Sequence, residues 1–173
     1  WIQLGTQNIG YFFPGGATVN GLRETRTGEW SDIDASGDTT SISRNYLTLY
    51  TSHGVAPSNK TYAYMVLPNK TSTQVSSYAA NPSSNVLRND TNVQAVQQKT
   101  LGIIGANFWT DTLQTVGAKG DANYLSSNKK ASVMVKETST TTEVAVSDPT
   151  QANVGKIQIE LNAPSGSVIE QDE

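Results

Sequence analysis

Cysteine is absent from these 173 residues, which removes disulfides, thiolate catalysis and cysteine-based zinc sites together. Histidine is nearly absent: His53, in a Ser-His-Gly turn, stands alone. A single imidazole without a visible partner reads as a turn residue rather than as a general base. Neither a Gly-x-Ser-x-Gly elbow nor a His-Glu-x-x-His pattern is present. Charge is also scarce, at 16% of residues with a net charge of -3. Without a basic field to collect phosphates, nucleic acid is excluded as a partner. No apolar run is long enough for a helical membrane span. The chain opens on Trp1 with no visible leader, so the expectation is a fragment, or a mature product that has lost its N-terminal part.

What fills the chain instead is Ser, Thr and Asn, beside hydrophobic residues at 36%. That mixture suits strands with one polar face better than helices, which favour Ala, Glu, Lys and Leu. Period-2 alternation recurs. "KASVMVKE" sets Ala131, Val133 and Val135 against Ser132, Met134 and Lys136, and "KIQIELN" sets Ile157, Ile159 and Leu161 against Gln158 and Glu160. "TTEVAVSD" does the same with Val144 and Val146, and "YLTLY" (46–50) and "TYAYMVLP" (61–68) read as two more strands. The fold expected is all-β, an antiparallel β-sandwich or a pair of them. One helix is predicted over "STQVSSYAA", because Thr71-x-x-Gln74 forms a capping box and Asn81-Pro82 stops the pattern. "RNDTN" is polar punctuation, and it suggests two parts, 1–91 and 92–173.

One cluster stands out. "GLRETRTGEWSDID" (21–34) gathers Arg23, Arg26, Glu24, Glu29, Asp32, Asp34 and Trp30. Paired carboxylates two residues apart on a strand would share a face, as a glycosidase pair or a calcium site needs. The same spacing is common in ordinary loops. Trp1, Tyr11, Phe12, Phe13 and Trp30 lie in the same thirty residues. Flat aromatic faces stack on sugar rings, and a guanidinium fork matches a carboxylate. Acidic polysaccharide is therefore a sensible ligand; arginines paired to local glutamates are the plainer alternative.

The order of several motifs carries a resemblance. "NIGYFFP" (8–14), "RTGEWSDID" (26–34), "YAYMVLPNK" (62–70), "NDTNVQAV" (89–96), "ANFW" (106–109) and "VSDPTQ" (146–151) follow one another. The series resembles the C-terminal half of polysaccharide lyase family 8, which holds hyaluronate, chondroitin AC and xanthan lyases. "GLRETRTGEW" is most similar to the xanthan lyases. The resemblance implies that residues 1–91 end a large central β-sandwich and that 92–173 form a small C-terminal β-domain. It implies a secreted enzyme cutting acidic polysaccharide by β-elimination on an α/α-toroid that precedes these parts, so no catalytic residue is expected in this segment. It further implies a supporting contact from Arg23 or Arg26 to an anionic group of the substrate, and a structural calcium ion at Asp90 whose other ligands come from outside this segment, with no cofactor needed for the chemistry. Trp30 and Trp109 are expected to pack inward. A free-standing carbohydrate-binding or adhesive module is the rival reading.

Overall fold

The computed structural model describes residues 1–5, 8–118 and 121–163. The chain divides into two compact units, one formed by residues 1–14 and 63–173 and the other by residues 15–62. All strand pairs among the described residues are antiparallel, as expected of a chain with this alternation.

The first unit begins with a three-stranded sheet, in which β2 (Ile9–Phe12) lies between β1 (Ile2–Leu4) and β5 (Met65–Pro68). The strand expected over 61–68 starts only at Met65. Its pairing ends where β2 ends, at Phe12 opposite Met65. Against this sheet packs α1 (Ser72–Ala80), the helix expected from its capping box. Thr71 Oγ1 accepts the Gln74 N–H at 3.4 Å, and Gln74 Oε1 accepts the Thr71 N–H at 3.0 Å, which satisfies two otherwise orphan donors. The helix buries Val75 completely. Gly10 on β2 makes that approach possible, since a Cβ there would meet Val75 Cγ2 at 2.3 Å.

After the helix come β6 (Ser84–Asn89), β7 (Val93–Gln98), β8 (Ile103–Phe108), β9 (Gln114–Ala118), β10 (Asp121–Ser127), β11 (Ala131–Glu137), β12 (Thr142–Ser147) and β13 (Ile159–Leu161). They make a five-stranded sheet, β12-β11-β8-β7-β6, and a three-stranded one, β13-β10-β9. The division expected at 91/92 falls inside the β6–β7 hairpin. "RNDTN" is a turn within one sheet, not a linker. The polar residues there serve hairpin geometry, which sequence composition alone does not distinguish from a linker.

The core lies between these two sheets. Val93, Ala95, Ile104, Ala106, Phe108, Ala131, Val133 and Val135 come from the larger one and Val116, Tyr124 and Leu125 from the smaller. Ile157, Ile159 and Leu161 pack against this cluster, half-buried, with Gln158 and Glu160 exposed between them. Arg88 ties the sheets together, giving hydrogen bonds to the Thr115 carbonyl at 3.0 Å and to Gln114 Oε1 at 2.8 Å. Two expectations fail here. Trp109 is 42% exposed, because alternation along "ANFW" sends Ala106 and Phe108 inward and leaves Asn107 and Trp109 outside. Val144 and Val146 share a sheet face with the buried Val135 and Val133 but remain exposed, being on an edge strand.

The second unit is a long two-stranded ribbon. β3 (Asn20–Gly28) pairs with β4 (Ile42–Tyr50) over nine consecutive residue pairs. Residues 29–41 join the two strands through a short 3-10 turn, Trp30–Asp32.

Candidate functional site

The site suggested by sequence, Arg23 and Arg26, sits in the middle of the ribbon. Side chains on a strand alternate between faces, so residues three apart point to opposite sides. Arg23 shares a face with its register partner Leu47, and with Thr25 and Asn45. Arg26 shares the other face with Glu24, Arg44, Tyr46 and Thr48. The two guanidiniums cannot serve one binding surface together.

Their surroundings differ as sharply. Arg26 donates from Nε to Glu24 Oε1 at 2.7 Å, and its Nη2 also bonds Glu24. The same Nη2 reaches Thr48 Oγ1 at 3.4 Å, and the guanidinium carbon stands 5.0 Å from the centre of the Tyr46 ring. The ion pair is open to water, with side-chain exposures of 54% and 36%, so screening leaves it a weak stabiliser. Its effect is orientation: the carboxylate and the ring hold Arg26 flat against its own ribbon, opposite Arg44, whose like charge Glu24 offsets. Arg23 is exposed and has no ion pair or hydrogen bond among the described residues. Its neighbours across the strand settle each other instead, Thr25 Oγ1 donating to Asn45 Oδ1 at 2.8 Å and the Thr27 and Ser43 hydroxyls bonding at 2.6 Å.

The acidic residues of the cluster other than Glu24 are spent on the loop. Glu29 and Asp32 cap the 3-10 turn reciprocally, the Glu29 N–H donating to Asp32 Oδ2 at 2.9 Å. Asp34 accepts from the Ser36 N–H at 2.9 Å and its hydroxyl at 2.8 Å, and these bonds hold its carboxyl below the ordinary value. Asp38 is lowered likewise by Thr40, whose hydroxyl and N–H both donate to it. Asp32 and Asp34 thus lie in turns, not on one strand face, and form no glycosidase pair. Trp30 does not pack inward: its side chain is 61% exposed. What is packed is its backbone, since a Cβ at Gly37 would meet the Trp30 carbonyl oxygen at 2.8 Å. His53 rests beside Tyr62, ring centres 6.4 Å apart.

Asp90 closes the β6–β7 hairpin. One carboxylate oxygen accepts the N–H groups of Asn92 and Val93 at 2.8 and 2.9 Å, and the other accepts Arg88 Nε at 2.6 Å. Arg88, foremost, keeps the carboxyl below its ordinary value. Calcium prefers six to eight oxygen ligands. Here a guanidinium occupies the place a cation would take, and no cluster of three or more acidic or histidine side chains suited to a metal occurs among the described residues. The described residues around Asp90 do not by themselves make a calcium site. Sequence reasoning missed Arg88 in this role; its i, i+2 spacing from Asp90 across a hairpin turn was the available signal.

Comparison with known proteins places both halves. The profile described as "Polysaccharide lyase family 8, super-sandwich domain" matches residues 1–79, and "Polysaccharide lyase family 8, C-terminal beta-sandwich domain" matches residues 85–157. A xanthan lyase of Bacillus sp. (strain GL1) is 52% identical over 169 residues, covering 93% of this chain and 18% of that protein. A hyaluronate lyase of Thermasporomyces composti is 37% identical over 164 residues, 94% of this chain and 20% of that one. Among solved structures, Paenibacillus xanthan lyase superposes with a TM-score of 0.88 at 48% identity, over 95% of this chain and 16% of that one. Streptomyces coelicolor chondroitin AC lyase bound to chondroitin sulphate superposes at 0.81 and 32% identity, over 99% and 23%. The chain therefore spans about a fifth of the length of the curated relatives it matches.

Proposed function

The chain belongs to polysaccharide lyase family 8, and from that premise we propose that it is the β-sandwich portion of a secreted lyase acting on acidic polysaccharide. The whole enzyme cleaves its polymer by β-elimination on a separate α/α-toroid. This portion supports that domain and supplies one arginine to the substrate. The polymer is xanthan-like, in keeping with the similarity to two xanthan lyases, and a polymer cannot cross a membrane, so the enzyme works outside the cell.

The observation that carries the reading is the contrast between the two arginines. A guanidinium that is exposed, ordered on a strand and unspent is ready to take a carboxylate bidentately. Arg23 answers that description; Arg26 is already held by Glu24 and Tyr46. Arg23 is thus the contact to an anionic group of the substrate, and Arg26 stiffens the ribbon that carries it.

In the intact enzyme, Arg23→Ala should raise KM by roughly tenfold to a hundredfold with kcat nearly unchanged, the loss of one charge-assisted pair remote from the breaking bond. Taking that anionic group to be the pyruvate carboxylate of xanthan's side chain, the penalty should appear on native xanthan and vanish on depyruvated xanthan. Arg26→Ala should change both only slightly. Equal, small effects on both polymers from both variants would return the cluster to a solvated loop. Residues 1–173 alone should generate no unsaturated-uronate absorbance from xanthan, hyaluronan or chondroitin; turnover of any of them would defeat the division of labour.

A further inference from the structure

The outer face of the five-stranded sheet carries a groove of about 450 Å³ that the reading above does not use. Its residues follow from the ladder. Where Ala95, Ala106 and Val133 turn to the core, their neighbours turn out. Val96, Gly105, Met134 and Ala145 lie in one row across β7, β8, β11 and β12, and Gln94, Asn107, Ser132 and Ser147 lie in the next. Four strands give the rows a length of about 14 Å.

The first row is apolar with a gap in it. Val96 and Met134 are each 51% exposed, and between them Gly105 has no side chain; a Cβ there would meet nothing within 4 Å. That missing side chain makes the floor. The second row is polar. Ser132 donates to Asn107 Oδ1 at 2.7 Å, which turns the Asn107 amide nitrogen free to donate outward. Beyond Asn107 on the same face stands Trp109, half exposed, its indole N–H bonded to Gln94 Oε1. Gln94 is itself held, its amide donating to the Asp90 carbonyl. The ring is therefore oriented before anything binds, which spares a ligand that ordering cost.

We infer that this groove is a binding site for a neutral glycan chain, distinct from the arginine ribbon. No side chain lining it is ionisable, and the charged residues that flank it are paired: Lys136 with Glu143 at 3.8 Å on one side and, at the Trp109 end, Lys130 with Asp111 at 3.5 Å. An acidic ligand finds no counter-charge there. An uncharged sugar has what the groove matches: a C–H face for Met134, Val96 and the indole, and hydroxyls for the amide and hydroxyl row. A flat protein partner would bury that polar row and leave groups such as Ser147 without hydrogen bonds, which costs binding.

The test uses the intact protein with hexasaccharides of β-1,4-linked glucose and of β-1,4-linked mannose, followed by calorimetry and tryptophan fluorescence. At least one should bind in roughly the sub-millimolar range, while a uronate hexasaccharide should not compete for the groove. Gly105→Leu fills open space and replaces a strand glycine, so its melting temperature should hold or rise. It should weaken neutral-sugar binding at least tenfold and leave turnover of a short acidic oligosaccharide unchanged. Trp109→Ala should weaken binding similarly. No response to either neutral probe up to millimolar concentration overturns the inference, as does a Gly105→Leu protein that binds like the parent. Self-association abolished by Gly105→Leu would also overturn it, by giving the face to a second copy. None of these outcomes depends on Arg23, so failure here leaves the ribbon's role standing, and the converse holds.

Discussion

Residues 15–62 and the sandwich that begins at β6 are made of similar strands, yet one has a core and the other has none. No residue in 15–62 is buried, although Leu22, Tyr46 and Tyr50 share one face of the ribbon much as Val133 and Val135 share one face of β11. Alternation only sorts side chains into two faces. Burial requires a second layer, and a lone two-stranded ribbon is marginal in water for lack of one. In the sandwich, apolar faces drive stability. In the ribbon, nine ladder pairs and a loop of capped carboxylates hold the shape, leaving its side chains available for recognition.

This contrast can be broken by measurement. The largest expected effect is Phe108→Ala, since that ring is fully buried between the sheets; about 3–5 kcal/mol should be lost in denaturant unfolding. A loss below about 1 kcal/mol would mean that the site collapses freely and that the core is not close-packed. Ile159→Ala should cost less, about 1–2 kcal/mol, because that side chain is only half-buried on a three-residue edge strand. A cost equal to that of Phe108→Ala would show that β13 is as integral as β8.

A pH test separates turn from core. Asp148 is held down to about 2, first by the Thr150 hydroxyl and then by the Asn153 N–H. A carboxyl lowered in the folded state adds stability that is complete above its ordinary value near 3.8 and is lost as pH falls toward 2. Asp148→Asn should therefore lower the melting temperature at pH 6 and converge with the parent near pH 2; parallel curves across that window would remove Asp148 as a staple. The smallest effect belongs to Leu47→Ala on the ribbon, 41% exposed, which should shift stability by no more than about 0.5 kcal/mol. A loss comparable to Ile159→Ala would reveal a layer over that face.

Much of this was legible in the residues. The capping box of α1 was, because Thr71 and Gln74 act locally, and so was the inward set of β11, because alternation is a local rule. The faces of Trp30 and Trp109 were not. Hydrophobic size suggests burial, but Trp109 follows Phe108, and only one of two adjacent strand residues can face the core. Trp30 begins a turn whose tightness comes from Gly37, a backbone contact that residue type does not announce. The boundary near residue 91 failed for a related reason: a polar pentapeptide reads alike as linker or hairpin until β6 and β7 are seen to pair.

The candidate site divides along the same line. The sequence by itself determined that Arg23 and Arg26, three apart, fall on opposite faces of any strand that holds them, because the pleat repeats every two residues. It also determined which residue types could grip an acidic sugar. Only the tertiary structure decided which arginine is spoken for. Glu24 lies on Arg26's own strand, but Tyr46 and Thr48 stand beside Arg26 only because β4 brings them from at least twenty residues away in the chain, and side-chain pairing across a ladder is set by register, which no single strand contains.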